Sequence, residues 1–198
     1  MWLFEFKDQV DKMRVMDERP WSFERQILVL NEFDGSIPPF QLVFDHSPFW
    51  IQAHDIPLIC MNKDVGTKIG NSLGDLIEVD VAGDGMGWGN YLRLRVNIDI
   101  TKPLDRGKAL HLAGKTSWVE FKYEKLPLYC FRCGRVVHGP RGCTVPTTTR
   151  LSAVEEPKPW GLWLRAADLR QSGDRGGTGF REELSCNKHR GEEAENSS

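Results

Sequence analysis

The chain has 198 residues, of which 40% are hydrophobic, 10% aromatic and 27% charged. This composition is typical of a globular protein and excludes a collagenous, fibrous or wholly disordered chain. The formal net charge of -2 excludes a uniformly cationic protein, but the charge is unevenly distributed. Residues 1–90 carry 7 Lys and Arg against 15 Asp and Glu, whereas residues 91–143 carry 11 against 4. The sequence therefore predicts a basic middle segment behind an acidic front.

In chain order, periodicity and turn residues predict these elements: a strand over 2–6, a helix over 8–18, a strand over 25–33, a turn over 34–39, a strand over 49–56, a helix over 62–73, a strand over 76–81, a glycine-rich loop over 82–90, a strand over 91–100, a turn over 101–107 and a strand over 116–124. Asn62 is the expected N-cap of the second helix. Strand–helix–strand units of this kind predict an α+β domain.

Cysteine usage points to a bound metal. The chain has five cysteines, and three of them lie between residues 130 and 143. No apolar run approaches the ~20 residues that cross a bilayer, and the first residues lack the apolar core of a signal peptide. Crowded cysteines in such a chain favour a metal over disulfides. The sequence predicts an intracellular protein, in the nucleus or cytoplasm, with no membrane partner; Cys60, which stands apart, is expected to be a small buried hydrophobe.

The most specific motif is CFRCGRVVHGPRGC, in which Cys130, Cys133, His138 and Cys143 have the spacing C-x2-C-x4-H-x4-C. Three thiolates and an imidazole within fourteen residues suit a tetrahedral Zn2+. Four protein ligands leave no position for water, so the spacing predicts a structural rather than a catalytic metal. A redox role for the Cys130 and Cys133 pair is a weaker interpretation, because it leaves His138 and Cys143 unexplained.

This motif resembles the zinc knuckle of retroviral nucleocapsid and related proteins. Such knuckles bind single-stranded nucleic acid with an aromatic residue that follows the first cysteine, and Phe131 stands at that position here. Many of them have glycine immediately before the histidine, where this chain has Val137. The resemblance implies zinc binding together with an altered base pocket.

Basic residues accompany the motif along the chain. Arg93 and Arg95 share the polar face of the strand predicted over 91–100, and further cations follow up to the cysteines. Phosphates bind to such cations, and bases stack on an aromatic side chain. The predicted nucleic-acid contacts are Phe131, Arg132, Arg135, Arg141, Arg93, Arg95, Lys122 and Lys125. For Arg93 and Arg95, a solvated sheet face paired with Asp99 or Glu120 is an equally good interpretation.

A wider resemblance covers residues 2–166. The segments FEFKDQVDKM, PFWIQAHDIPL, YLRLRVNIDITKPLDRG and FKYEKLPLYCFRCGRVVHG resemble a plant family in which a domain of unknown function precedes a zinc knuckle, in proteins derived from LINE-type (non-LTR) retrotransposons. PWGLWLRA resembles the tryptophan motif that follows the knuckle there. The resemblance implies a nucleic-acid-binding protein of a retroelement or a domesticated descendant, and slightly favours the nucleus. Family members have a further strand and helix before FEF, so it also implies an N-terminally truncated sheet.

Three parts are predicted in all. An α+β domain over 1–125 consists of strand–helix–strand units and is expected to resemble a truncated split ferredoxin-like or RRM-like sheet. A CCHC zinc knuckle follows over 126–146. Residues 147–198 form a mostly disordered tail, rich in Thr, Pro, Gly, Glu and Ser, with a short Trp motif at 159–166.

Two function classes remain open from the sequence. The first is zinc-dependent binding of single-stranded RNA or DNA. The second is a protein-interaction or self-assembly module in which zinc is purely structural; a second copy of the chain is one candidate partner. No nucleophile elbow, P-loop or H-E-x-x-H motif occurs, and AGDGMGWG precedes a strand rather than a helix. An enzyme with a small-molecule substrate is therefore not expected.

Overall fold

The computed structural model describes residues 1–112, 114–145 and 159–167. Its helices and strands are α1 Gln9–Asp17, β1 Trp21–Phe23, β2 Gln26–Leu28, β3 His46–His54, α2 Lys63–Leu73, β4 Asp75–Asp80, β5 Tyr91–Asp99, β6 Gly107–Leu112 and β7 Lys115–Tyr123. The described part is thus a mixed α+β fold with two α-helices, a five-stranded sheet and a separate β1–β2 hairpin, which confirms the predicted class. Neither helix is long and apolar enough to cross a membrane.

The large sheet has the strand order β4-β5-β3-β7-β6, and every neighbouring pair is antiparallel. Strands β3 and β4 therefore run parallel, and α2 connects them by crossing over β5. Strands β5 and β7 also run parallel, but a turn and β6 connect them instead of a helix. The described residues thus contain one crossover helix, where a complete ferredoxin-like sheet has two.

The core lies between α2 and one face of the sheet. Alternation along β5 buries Leu92, Leu94 and Val96 completely on this inner face, and Leu94 lies opposite Ile51 of β3. Helix α2 contacts β4 and β5 and comes close to them because it has glycines at its interface. A Cβ atom on Gly66 would lie 2.6 Å from a methyl carbon of Val79, so a larger residue there would push the helix off the sheet.

Several local predictions are confirmed. The side chain of Asn62 caps α2 by accepting a hydrogen bond of 3.0 Å from the backbone N–H of Val65. Cys60 is buried among the hydrophobic core residues, as expected for a small apolar side chain.

Other local predictions are wrong at the front of the chain. Residues 2–6 form neither helix nor strand, and Trp2 and Phe4 are exposed; an aromatic, alternating pattern does not make a strand without a neighbouring strand to pair with. The strand predicted over 25–33 is confined to Gln26–Leu28, because only the β1–β2 hairpin provides a partner. Strands β1 and β6 were not predicted.

Residues 159–167, which we call the Trp strap, pack on the folded domain. Leu164 is completely buried in the core. The backbone N–H of Ala166 donates a hydrogen bond of 2.9 Å to the carbonyl of Tyr123, and Arg165 forms a parallel bridge with the same residue. The Trp motif predicted at 159–166 therefore contributes to the core, whereas the tail predicted over 147–158 and 168–198 lies outside the described residues.

We expect Leu164→Ala to lower the free energy of unfolding by about 2–5 kcal/mol, because it removes a fully buried side chain from the core. Leu162→Ala is the matched control, since Leu162 belongs to the same strap but is 63% exposed, and its effect should stay within about 0.5 kcal/mol. Urea unfolding of both variants measures the difference. Equal stability of the two variants would contradict the observed docking of the strap.

Candidate metal centre and nucleic-acid interface

The predicted metal ligands follow β7 in a tight turn. The backbone N–H of Gly134 donates to the carbonyl of Cys130 at 2.7 Å, and the N–H of Cys130 donates to the carbonyl of Arg135 at 2.9 Å. These two bonds fold the chain back on itself between Cys130 and Arg135. Gly134 has φ +73°, a left-handed conformation that glycine adopts without steric cost. The turn brings the side chains of Cys130 and Cys133 to one point.

The four candidate ligand atoms lie in one cluster. They all lie within 4.8 Å of one another. The sulfur atoms of Cys130 and Cys143 are 3.7 Å apart, and Cys133 Sγ is 3.1 Å from His138 Nε2. Two thiolates on one zinc ion, each at about 2.3 Å, would be about 3.8 Å apart in tetrahedral geometry. The CCHC cluster is therefore consistent with Zn2+, and all four predicted metal ligands belong to it.

The thiol groups of the cluster differ in acidity. The backbone hydrogen bond from Val145 and the guanidinium of Arg132 together lower the pKa of Cys143 to about 6. Burial has the opposite effect on Cys133, whose pKa is raised. Because zinc binds the deprotonated thiol, Cys143 would need little deprotonation at neutral pH, whereas Cys133 would release its proton to solvent when the metal binds.

The knuckle, residues 126–145, is fixed to the sheet through the loop between β5 and β6. Leu104 donates its backbone N–H to the carbonyl of Gly134 at 2.9 Å, and Val137 donates to the carbonyl of Ile100 at 3.1 Å. Val137, the residue that differs from many knuckles, is also partly buried against the core. The knuckle is thus held at two points, one within its turn and one just after it.

The Trp strap completes this junction. The indole of Trp160 donates a hydrogen bond of 2.9 Å to the carbonyl of Leu104, and its ring covers Gly134 so closely that a Cβ there would lie 2.3 Å from it. Gly134 is therefore required both by its backbone conformation and by the tryptophan above it. Sequence analysis missed this contact, because no local pattern links a glycine to a tryptophan 26 residues away.

Within the knuckle, the predicted nucleic-acid contacts lie around the metal cluster. Phe131 is half-buried, and its ring centroid is 5.1 Å from that of Tyr129 in an edge-to-face pair. Arg132 and Arg141 are exposed, and Arg135 is half-buried. Residues 126–145 include three arginines and no Asp or Glu. With Zn2+ and three thiolates, the knuckle carries a net charge of about +2 when His138 is neutral.

The predicted cations of the sheet have partners within the protein. Arg93 binds Glu124 at 2.8 Å and Asp80 at 3.1 Å; burial would lower its pKa, but these two carboxylates raise it overall. Arg95 donates to the carbonyl of Asp17 at the end of α1. Arg93 and Arg95 are indeed paired, but with other groups than Asp99 and Glu120. A phosphate contact at either residue stays a prediction and requires an exchange of partners.

Two lysines complete the predicted set. Lys125 donates a hydrogen bond of 3.0 Å to the carbonyl of Glu18, so it also holds the end of α1 against the domain. Lys122 lies half-buried on the sheet face that bears Arg93. The structure therefore separates the predicted contacts into two groups: Phe131 with three arginines in the knuckle, and the cations of the sheet and its end.

Comparison with known proteins agrees with this centre. Residues 98–145 match a protein-family model described as Zinc knuckle. The match begins at the end of β5 and includes the loop, β6 and β7, and therefore the loop on which the knuckle is docked. No solved structure matches the chain.

A particular relative extends the likeness beyond the knuckle. Over 135 residues, 68% of the chain, the sequence is 23% identical to uncharacterized protein At4g02000 of Arabidopsis thaliana. The aligned part spans 42% of that protein's length. The likeness is distant, and it links the chain to a plant protein.

We expect the chain to bind one Zn2+, and to lose it when Cys130→Ser or His138→Ala removes a ligand from the cluster. Cys60→Ser is the matched control, because Cys60 is a buried cysteine outside the cluster. Metal analysis after dialysis against trace zinc measures the stoichiometry. Equal zinc content in the Cys130 and Cys60 variants would contradict the assignment.

Proposed function

We propose that the protein binds single-stranded nucleic acid through its zinc-loaded knuckle and is not an enzyme. The observation that supports this most strongly is the combination, in residues 126–145, of a converged CCHC cluster, an aromatic side chain beside it and three arginines without any acidic residue. Nucleic-acid strands need cations for their phosphates and aromatic faces for their bases. The match to the zinc knuckle family agrees with this class of ligand.

Each group in the knuckle has a distinct role in this proposal. When bound, zinc supplies a fixed crosslink that holds the loop closed. Phe131, steadied by its edge contact with Tyr129, stacks on one unpaired base. Arg132 and Arg141, both exposed, bind phosphates on either side of that base, and Arg135 adds positive charge from a half-buried position.

The proposal extends to the origin of the protein. The sequence resembles plant proteins derived from LINE-type retrotransposons, and the similarity to an Arabidopsis protein supports a plant setting. We propose a retroelement-derived chain that acts in the nucleus or cytoplasm, where single-stranded RNA or DNA is its partner. The choice between RNA and DNA is left to the binding experiment below.

Fluorescence anisotropy with labelled single-stranded RNA and DNA tests the proposal. We expect zinc-dependent binding that weakens about 5- to 150-fold in Phe131→Leu, because stacking on one base contributes about 1–3 kcal/mol. Leucine is chosen so that the contact with the core is largely kept. Arg132→Gln and Arg141→Gln should each reduce the slope of log affinity against log salt by about 0.7.

Matched variants make this test specific. Phe40→Ala removes an aromatic side chain that is 84% exposed and lies outside the knuckle, and it should leave affinity unchanged. Arg93→Gln removes a cation already paired with two carboxylates and tests the sheet separately: a wild-type salt slope in this variant would restrict the phosphate contacts to the knuckle, and a lower slope would add Arg93 to them. Affinity that survives chelation of zinc, or that is equal in Phe131→Leu and wild type, would refute the proposal.

A further inference from the structure

The two edges of the large sheet differ in charge. Strand β4, at one edge, has the sequence DLIEVD, and its residues Asp75 and Glu78 are exposed. The pairing with β5 shifts register between Leu76 and Glu78, which marks a β-bulge at Ile77. The side chain of Ile77, which follows the inward-facing Leu76, is 53% exposed on this acidic edge. This edge therefore presents an apolar side chain between two acidic ones.

The opposite edge has a groove of complementary character. A cavity of about 620 Å³ lies between α2 and β6. Its apolar lining is formed by Cys60, Val65, Ile69, Ala109, Leu110 and Trp118. Two lysines, Lys68 and Lys108, line it together with His111, and no Asp or Glu lines it. Lys108 is paired with Asp105 at 3.4 Å and donates to the carbonyl of Ser72. The groove therefore fits an apolar side chain that has acidic neighbours.

We propose that the β4 edge of one copy of this chain docks in the α2–β6 groove of a second copy. Ile77 would fill the apolar groove, while Asp75 and Glu78 would lie against Lys68 and Lys108, and Lys108 would exchange Asp105 for a carboxylate of the second copy. Charged residues at sheet edges ordinarily prevent edge-to-edge association. In this chain the β4 edge is acidic and the α2–β6 groove is basic. Two β4 edges or two grooves therefore repel each other, whereas a β4 edge and a groove attract each other. The contact goes beyond nucleic-acid binding and does not depend on it.

The strand directions fix the geometry of this contact. Strands β4 and β6 run parallel within one molecule, because each neighbouring pair in the sheet is antiparallel. Leu76 and Val79 face α2, so Ile77 and Glu78, at the bulge opposite Arg95, lie on the other face of the sheet. A second copy with its helices on the opposite side brings these side chains to the groove, and its β4 then runs antiparallel to β6 of the first. The bulge at Ile77 interrupts regular strand pairing, so the isoleucine and the charges hold the contact. Such an interface is heterologous and can add copies without closing.

Sedimentation velocity of the full, zinc-loaded and nuclease-treated chain tests the proposal. We expect the average mass to rise with protein concentration at low salt, and to pass that of a dimer. Lys68→Glu with Lys108→Glu makes both edges acidic, and Asp75→Lys with Glu78→Lys makes both edges basic. Each double variant alone should associate at least tenfold more weakly than wild type. Ile77→Ser, which leaves the charges intact, should also weaken association.

A double variant could lose association because it misfolds. Recovery of association when the opposite charges are combined again excludes this explanation. An equimolar mixture of the two double variants should associate again, and so should the quadruple variant in which all four charges are reversed. The control is Glu5→Lys with Asp11→Lys, which changes the net charge by the same amount and sign as Asp75→Lys with Glu78→Lys. Its two positions are exposed and lie away from the sheet edges, so this variant should associate like wild type.

Four results would overturn the proposal: a wild-type chain that stays monomeric, double variants that associate like wild type, a mixture that does not restore association, or association that requires nucleic acid. The anisotropy measurement shows separately whether nucleic-acid binding itself fails. Ile77→Ser should keep the wild-type affinity for single strands in the anisotropy measurement, whichever state of assembly is found.

Discussion

The short junction at Gly134 links the metal centre to the rest of the molecule. At this residue a left-handed backbone, a hydrogen bond from Leu104 and the ring of Trp160 meet. The turn that gathers the cysteines is therefore the same turn that contacts the sheet. Leu104 in turn accepts a hydrogen bond from Trp160, so the strap, the loop and the knuckle share one set of contacts.

Charge is used differently in the two halves of the structure. On the sheet, Arg93 and Arg95 are neutralised or occupied by groups of the protein, and they help to hold α1 and the end of β7 in place. Ion pairs of this kind connect parts of the same protein, and their contribution to stability is modest where they are exposed. The knuckle has no acidic residue of its own, so its arginines are not paired with carboxylates of the same segment. The basic stretch of the sequence thus divides into cations that are paired on the sheet and cations that surround the metal cluster.

Sequence patterns predicted the features that depend on neighbouring residues. The spacing of the four zinc ligands, the cap at Asn62 and the alternation of β5 are local, and each is found in the structure. Features set by distant partners were missed. Strand β6 exists because β7 pairs with it, and residues 2–6 stay irregular because no strand lies beside them. The contact between Gly134 and Trp160 is likewise visible only once the chain is folded.

A docked knuckle differs physically from a knuckle on a flexible tether. A tethered module must give up rotational freedom whenever it grips a strand, and that entropy is subtracted from affinity. The contacts of Gly134 and Val137 with the loop after β5 have already restricted this freedom. In exchange, the module cannot swivel to follow a curved or moving strand. If single strands bind as we propose, the strand must therefore adapt its own path to a surface of fixed orientation.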